Sequence, residues 1–106
     1  MTDKQRLNLA FKELRKQGFV ARQRFMCCQG CGWAAIANDK PDATHVAFYH
    51  QQDADAIDED GKITEPMYIA WAGDALAITT ALTNAGLKAE WDGSADTRVC
   101  VKPRDK

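Results

Sequence analysis

The stretch Cys27-Cys28-Gln29-Gly30-Cys31-Gly32-Trp33 separates a strand-like segment from a short apolar one. Residues 19–26, which precede it, alternate apolar and charged side chains and so predict a half-exposed strand. Residues 33–37, which follow the glycines, are apolar and predict a short, mostly buried helix. Because this stretch holds three of the four cysteines, it is also where we expect a functional site.

Hydrophobic periodicity predicts the other elements on either side. Apolar residues at helical spacing predict a first helix over residues 3–17, with Thr2 and Gln5 forming a capping box at its start. Alternation and β-branched residues predict further strands over residues 44–51, 67–72, 87–91 and 97–101. Another helix is predicted from Gly73-Asp74 to Ala85.

The predicted order is therefore α-β-α-β-β-α-β-β. We expect a single α+β domain over residues 1–106, with a polar tail at residues 102–106. Its two layers would be helices on one face of a five-stranded, mostly antiparallel or mixed sheet.

Composition limits the classes of function. Fourteen basic and fifteen acidic side chains leave a net charge of −1, which argues against a nucleic-acid binder. No segment approaches the roughly 20 apolar residues of a membrane span, and no secretory signal is visible at the N-terminus. These features predict a cytoplasmic protein, whose thiols are kept reduced, and they name no small-molecule substrate.

The spacing Cys28-x-x-Cys31-Gly32 is typical of a zinc knuckle, in which two thiolates supply two of the four ligands of one zinc ion. A second C-x-x-C pair is missing, so the other ligands must come from elsewhere. The best set is Cys28, Cys31 and His50, with Cys27 or Asp53 as the fourth ligand. Zinc is accordingly the one cofactor that the sequence suggests.

The fourth cysteine, Cys100, is set apart by its pattern. It alternates with Val99 and Val101, so its side chain should face away from the core, beside Arg98 and Lys102. We therefore predict that Cys100 is a poor partner for the site unless the site lies on the open face of the sheet.

Two kinds of thiol enzyme are alternatives to zinc. A strand leading into C-x-x-C at a helix start lowers the pKa of the first thiol and suits redox chemistry, although the element order is not that of a thioredoxin-like fold. Alternatively, Cys28 or a neighbouring cysteine is a nucleophile, His50 its base and Asp53 the orienter of the base. The structural alternative is that three cysteines pack under Trp33 without chemistry. Whether the protein is an enzyme stays open.

The second motif is His50-Gln51-Gln52-Asp53, at the predicted end of the second strand. The order C-C-x-x-C-G, then H-Q-Q-D, then a strand ending in Gly73, resembles a family of small bacterial proteins of unknown function. This resemblance spans residues 15–91 and implies that both motifs belong to one site. It implies no activity. A further class is an interaction module that forms a homodimer through an exposed strand edge.

Overall fold

The computed structural model describes residues 1–26, 29–94 and 97–103, and its elements follow the predicted order with one short helix added. The helices are α1 (Asp3–Lys16), α2 (Gln29–Asp39), α3 (Gln51–Ala54) and α4 (Ala75–Asn84). The strands are β1 (Val20–Arg22), β2 (Val46–Phe48), β3 (Met67–Ala72), β4 (Lys88–Glu90) and β5 (Val99–Lys102). The α+β class is confirmed. Within the described ranges, no helix is both long and apolar enough to cross a membrane.

Helix α1 begins as the sequence predicts. The Thr2 and Gln5 side chains exchange hydrogen bonds with each other's backbone N–H groups, which completes the capping box. Asp3 is buried, and its Oδ2 accepts a hydrogen bond of 2.9 Å from the backbone N–H of Ile63. The Lys4 N–H donates to the carbonyl of Gly61 at 2.9 Å. The start of α1 is thus hydrogen-bonded to residues 61–63 of the loop that precedes β3.

The sheet is mixed, with strand order β1-β2-β3-β5-β4. Strands β1 and β2 are parallel, and the other three neighbouring pairs are antiparallel. The apolar strand β3 lies in the centre of this order.

The prediction that the helices share one face of the sheet is wrong for α2. Helices α1 and α4 pack on one face, where Ala47 and Tyr49 join the larger core cluster. Helix α2 covers the opposite face, where its Ile36 packs with Val46 and Phe48 in a second cluster. Both faces of β2 are apolar, so a helix must pack on each of them to bury it.

Several boundaries also differ from their predictions. Helix α2 begins at Gln29, four residues before the predicted start, and extends to Asp39, two residues beyond the predicted end. Strands β1 and β2 have three residues each, because the chain leaves the sheet soon after Arg22 and after Phe48. The last residues of the predicted tail, 104–106, lie outside the described ranges.

Tyr49 gives the fold a predicted sensitivity to alkali. Its ring is buried against Phe11, and its hydroxyl donates to Gln23 Oε1 at 3.0 Å. Burial raises the pKa of Tyr49 to about 12, although the charge of Arg24 opposes the shift. The unfolded chain therefore loses this proton near pH 10, whereas the folded chain keeps it until about pH 12.

We expect full stability below about pH 10 and a loss of roughly 2–3 kcal/mol between pH 10 and 12. Urea unfolding across this range measures the loss, and Tyr49→Phe, which has no phenolic proton, supplies the control. If the wild-type protein and Tyr49→Phe lose stability in parallel, Tyr49 is not the group responsible.

Candidate functional site

The topology explains why the two sequence motifs approach each other. Strands β1 and β2 are adjacent and parallel, with Arg22 opposite Phe48, and α2 connects them. In such a β-α-β unit the carboxyl ends of both strands lie at the same edge of the sheet, where binding sites of α/β proteins are commonly built. Residues 27–31, called the thiol stretch below, follow β1 in the chain, and His50 follows β2.

Described residues on both sides of the thiol stretch contact the end of β2. On one side, the Met26 carbonyl accepts a hydrogen bond of 3.1 Å from the Gln51 N–H. On the other side, Gly32 packs directly on the Phe48 ring, and the Trp33 ring lies edge-on to it with centroids 5.1 Å apart. The thiol stretch is therefore bracketed by contacts to residues that flank His50.

The cysteines themselves are only partly described. Cys31, in the first turn of α2, has a half-buried side chain. Cys27 and Cys28 lie outside the described residues, so the predicted convergence of Cys28, Cys31 and His50 stays a prediction. Among the residues that the structure describes, no three His, Cys, Asp or Glu side chains are grouped so that they could hold a metal ion.

The backbone just before the thiol stretch is strained. Arg24 and Met26 have φ values of 52° and 64°, in the left-handed region that favours glycine. A non-glycine residue in that region costs roughly 1–2 kcal/mol. Strain of this kind persists where the surrounding structure enforces it, and it is concentrated at functional sites.

His50 and Asp53 form a close pair at the start of α3, called the His50–Asp53 pair below. His50 is buried and caps the helix, with its Nδ1 accepting a hydrogen bond of 3.3 Å from the Asp53 backbone N–H. Its Nε2 lies 3.2 Å from Asp53 Oδ2. Because Nδ1 accepts, the proton of the neutral ring belongs on Nε2, beside the carboxylate.

The same carboxylate is the least satisfied polar group of this region. Asp53 Oδ2 is buried and accepts no hydrogen bond within the described part of the chain, although His50 Nε2 lies 3.2 Å from it. Arg98 Nη1 stands 3.8 Å from it. The pair predicted from the sequence is thus brought together, with both ring nitrogens of His50 turned toward Asp53. A metal or a thiol must displace one of these contacts to reach the ring.

Arg98 is the residue of this region that the sequence did not identify as part of the site. It lies 45 residues from Asp53 in the chain, and its guanidinium stacks 4.9 Å from the centroid of the Tyr68 ring. Its alternation with Val99 placed it correctly on the face away from the core, but no local signal linked it to Asp53.

The side chain of Cys100 faces away from the larger core, as predicted. It is half-buried and lies opposite Tyr68 in the β3–β5 ladder, on the sheet face that α2 covers at β2. Burial raises the pKa of its thiol, with Lys102 opposing the shift. Its thiolate is therefore scarce at neutral pH, which makes Cys100 a slow nucleophile.

Comparison with known proteins identifies the family. The model of DUF6891, a domain of unknown function, matches residues 1–105. The chain belongs to the DUF6891 family. Membership confirms the expectation of an uncharacterised family, while the bacterial source and the two motifs as family features stay predictions. No curated protein and no solved structure matches the chain.

Proposed function

We propose that this DUF6891 protein carries out thiol–disulfide exchange through Cys28 and Cys31, assisted by the His50–Asp53 pair. The observation that carries the proposal is that α2 begins at Gln29. Cys28 is therefore the residue that precedes the helix in the sequence, and Cys31 is the third residue of the helix.

That spacing favours both contact and ionisation. The residue before a helix and the third helical residue are the two partners of a capping box, whose side chains meet the same turn of backbone. Thr2 and Gln5 show this arrangement in α1. The positive end of the helix dipole stabilises a thiolate there and lowers its pKa.

The chemistry is a two-electron transfer to a disulfide of a partner molecule. The Cys28 thiolate attacks one sulfur of that disulfide and releases the other sulfur as a thiolate, which leaves a mixed disulfide. The Cys31 thiolate then attacks the sulfur of Cys28, releases the partner as a dithiol and leaves a Cys28–Cys31 disulfide. A reducing thiol of the cytoplasm, where we place the protein, would restore the reduced form.

The His50–Asp53 pair would accept the proton of the resolving thiol. Asp53 lies beside Nε2 and can stabilise the protonated ring, which leaves Nδ1 as the basic nitrogen. The 3.3 Å hydrogen bond from the Asp53 N–H to Nδ1 would have to break before Nδ1 could take the proton, at a cost of about 1 kcal/mol. Cys27 directly precedes Cys28 in the sequence and would serve as an alternative nucleophile.

Zinc binding is the second candidate. The observation that favours it is the carboxylate beside His50, since histidines that ligate zinc commonly give their other N–H to a carboxylate. Cys27, Cys28, Cys31 and His50 would supply the four ligands of a closed tetrahedral site, and the bound ion would hold the start of α2 against β2.

Thiol labelling and metal analysis decide between the two. We expect one thiol of the metal-free protein to react with iodoacetamide at pH 7 about tenfold faster than an ordinary cysteine, and Cys28→Ser to abolish that fast phase. The control is Cys100→Ser, which should leave it unchanged. Reduction of a small aromatic disulfide should also stop in Cys28→Ser and in Cys31→Ser.

The contrary outcomes are equally distinct. Uniformly slow labelling of all four cysteines would exclude thiol exchange. Stoichiometric zinc in protein purified without chelator, lost in both Cys28→Ser and His50→Ala, would favour the metal site instead. Unchanged melting in the presence of a chelator would exclude a structural metal.

A further inference from the structure

The outer edge of β4 pairs with no other strand in the part of the chain that the structure describes. Strand β4 pairs with β5 on one side and is the terminal strand of the order. Two surface grooves border it and meet at Ala89. One is lined by Leu76, Thr79 and Trp91 among others, and the other by Thr83 and Gly86. An open strand edge bordered by grooves can accept another strand.

The sequence of β4 is complementary to itself. Lys88-Ala89-Glu90 places opposite charges on either side of a central alanine. If a second β4 pairs antiparallel with Ala89 opposite Ala89, each Lys88 lies across from the Glu90 of the other copy. Opposite charges in directly facing positions stabilise an antiparallel pair, and a twofold axis produces the contact twice.

The helix beside this edge has an uncharged outer face. Residues with charged side chains make up 27% of the chain, yet α4 contains none of them. Leu76 is 65% exposed there, and Thr80 and Thr83 are exposed beside it. By contrast, the outer face of α1 carries Lys12 and Lys16. Depletion of charged residues is characteristic of the core of an interface.

We infer that two copies of the chain form a dimer by antiparallel pairing of β4 with β4 about a twofold axis at Ala89. The five strands of each copy then continue into one sheet. The uncharged faces of the two α4 helices lie beside each other on one side of the dimer, where Leu76 becomes buried. This inference does not depend on the thiol chemistry proposed above.

Charge exchange at the two flanking positions tests the pairing. Lys88→Glu and Glu90→Lys each place like charges opposite one another twice, so each should weaken the dimer by about tenfold or more. The combined variant Lys88→Glu/Glu90→Lys restores complementary charges and should dimerise like the wild-type protein. Lys12→Glu, the same change on the outer face of α1, is the matched control and should have no effect.

Mixing the two single variants gives a stricter test. A tagged Lys88→Glu chain should capture an untagged Glu90→Lys chain, because every facing pair is then opposite in charge, and neither variant should capture itself. Light scattering over a wide concentration range measures the dimer, and circular dichroism shows that each variant is folded. The Glu90–Lys102 ion pair of 2.8 Å, which Glu90→Lys breaks, is exposed and contributes little to folding.

Three results would overturn the inference. The first is a wild-type protein that stays monomeric at high concentration. The second is a dimer that Lys88→Glu and Glu90→Lys leave intact, since it would use another surface. The third is a combined variant that is folded but remains monomeric.

Discussion

Replacing Gly32 by alanine is expected to lower the free energy of unfolding by about 2 kcal/mol. A Cβ at this position would lie 2.5 Å from Cε1 and 2.8 Å from Cζ of Phe48, closer than real carbon atoms approach. The ring cannot swing away, because Phe25 and Trp33 pack against it and it is fully buried. Overpacking of this kind costs up to about 3 kcal/mol, against a gain of about 1 kcal/mol from the higher helix propensity of alanine.

Gly30 provides the matched control within the same helix. A Cβ there meets nothing within 4 Å, so it would not clash. Because alanine has a higher helix propensity than glycine, Gly30→Ala should stabilise the fold by up to about 1 kcal/mol. Urea unfolding of both variants gives the comparison. Should Gly32→Ala prove as stable as Gly30→Ala, the close packing of α2 on β2 would have to be abandoned.

His50→Ala is expected to be the second strongly destabilising change, by about 2–3 kcal/mol. It removes the cap of α3, a loss of about 1 kcal/mol, and it leaves the Asp53 carboxylate without its nearest partner. Leaving a buried charged group without its polar partner costs about 3 kcal/mol or more. Here the cost is smaller, because the Asp53 side chain is 14% exposed and Arg98 remains nearby.

A double-mutant cycle separates these contributions. If Asp53 is the source of the penalty, His50→Ala/Asp53→Ala should be more stable than the sum of the two single changes predicts, by about 1–2 kcal/mol. His45→Ala, at the other, exposed histidine, is the control for loss of an imidazole. Strict additivity of the two changes would mean that the ring and the carboxylate do not interact.

Local signals were sufficient for much of the fold. The capping box at Thr2, the buried stripe of α1 and the apolar run of β3 depend on periodicities that a single segment carries. The outward position of Cys100 followed from alternation in β5. These features are independent of the rest of the chain, so the sequence alone predicts them.

Features that depend on distant contacts were missed. The segment Gln29-Gly30-Cys31-Gly32 has low helix propensity, and what favours a helix there is the packing of Gly32 on Phe48. Helix α3 was predicted as a strand end, because histidine is not among the usual capping residues. The approach of Arg98 to Asp53 joins β5 to α3 and has no local signature. For the same reason, the sequence alone identifies both motifs but does not predict which strands are neighbours in the sheet.

The position of β5 has a consequence for the chain during its synthesis. Strand β5 comes latest in the sequence, yet it lies between β3 and β4 and is the only strand that joins them. Until residues 99–102 leave the ribosome, the apolar strand β3 keeps one edge open, and β4 has no neighbour. An open apolar edge recruits other chains. A chain truncated before Val99 would therefore expose the open edge of β3, and we expect it to aggregate.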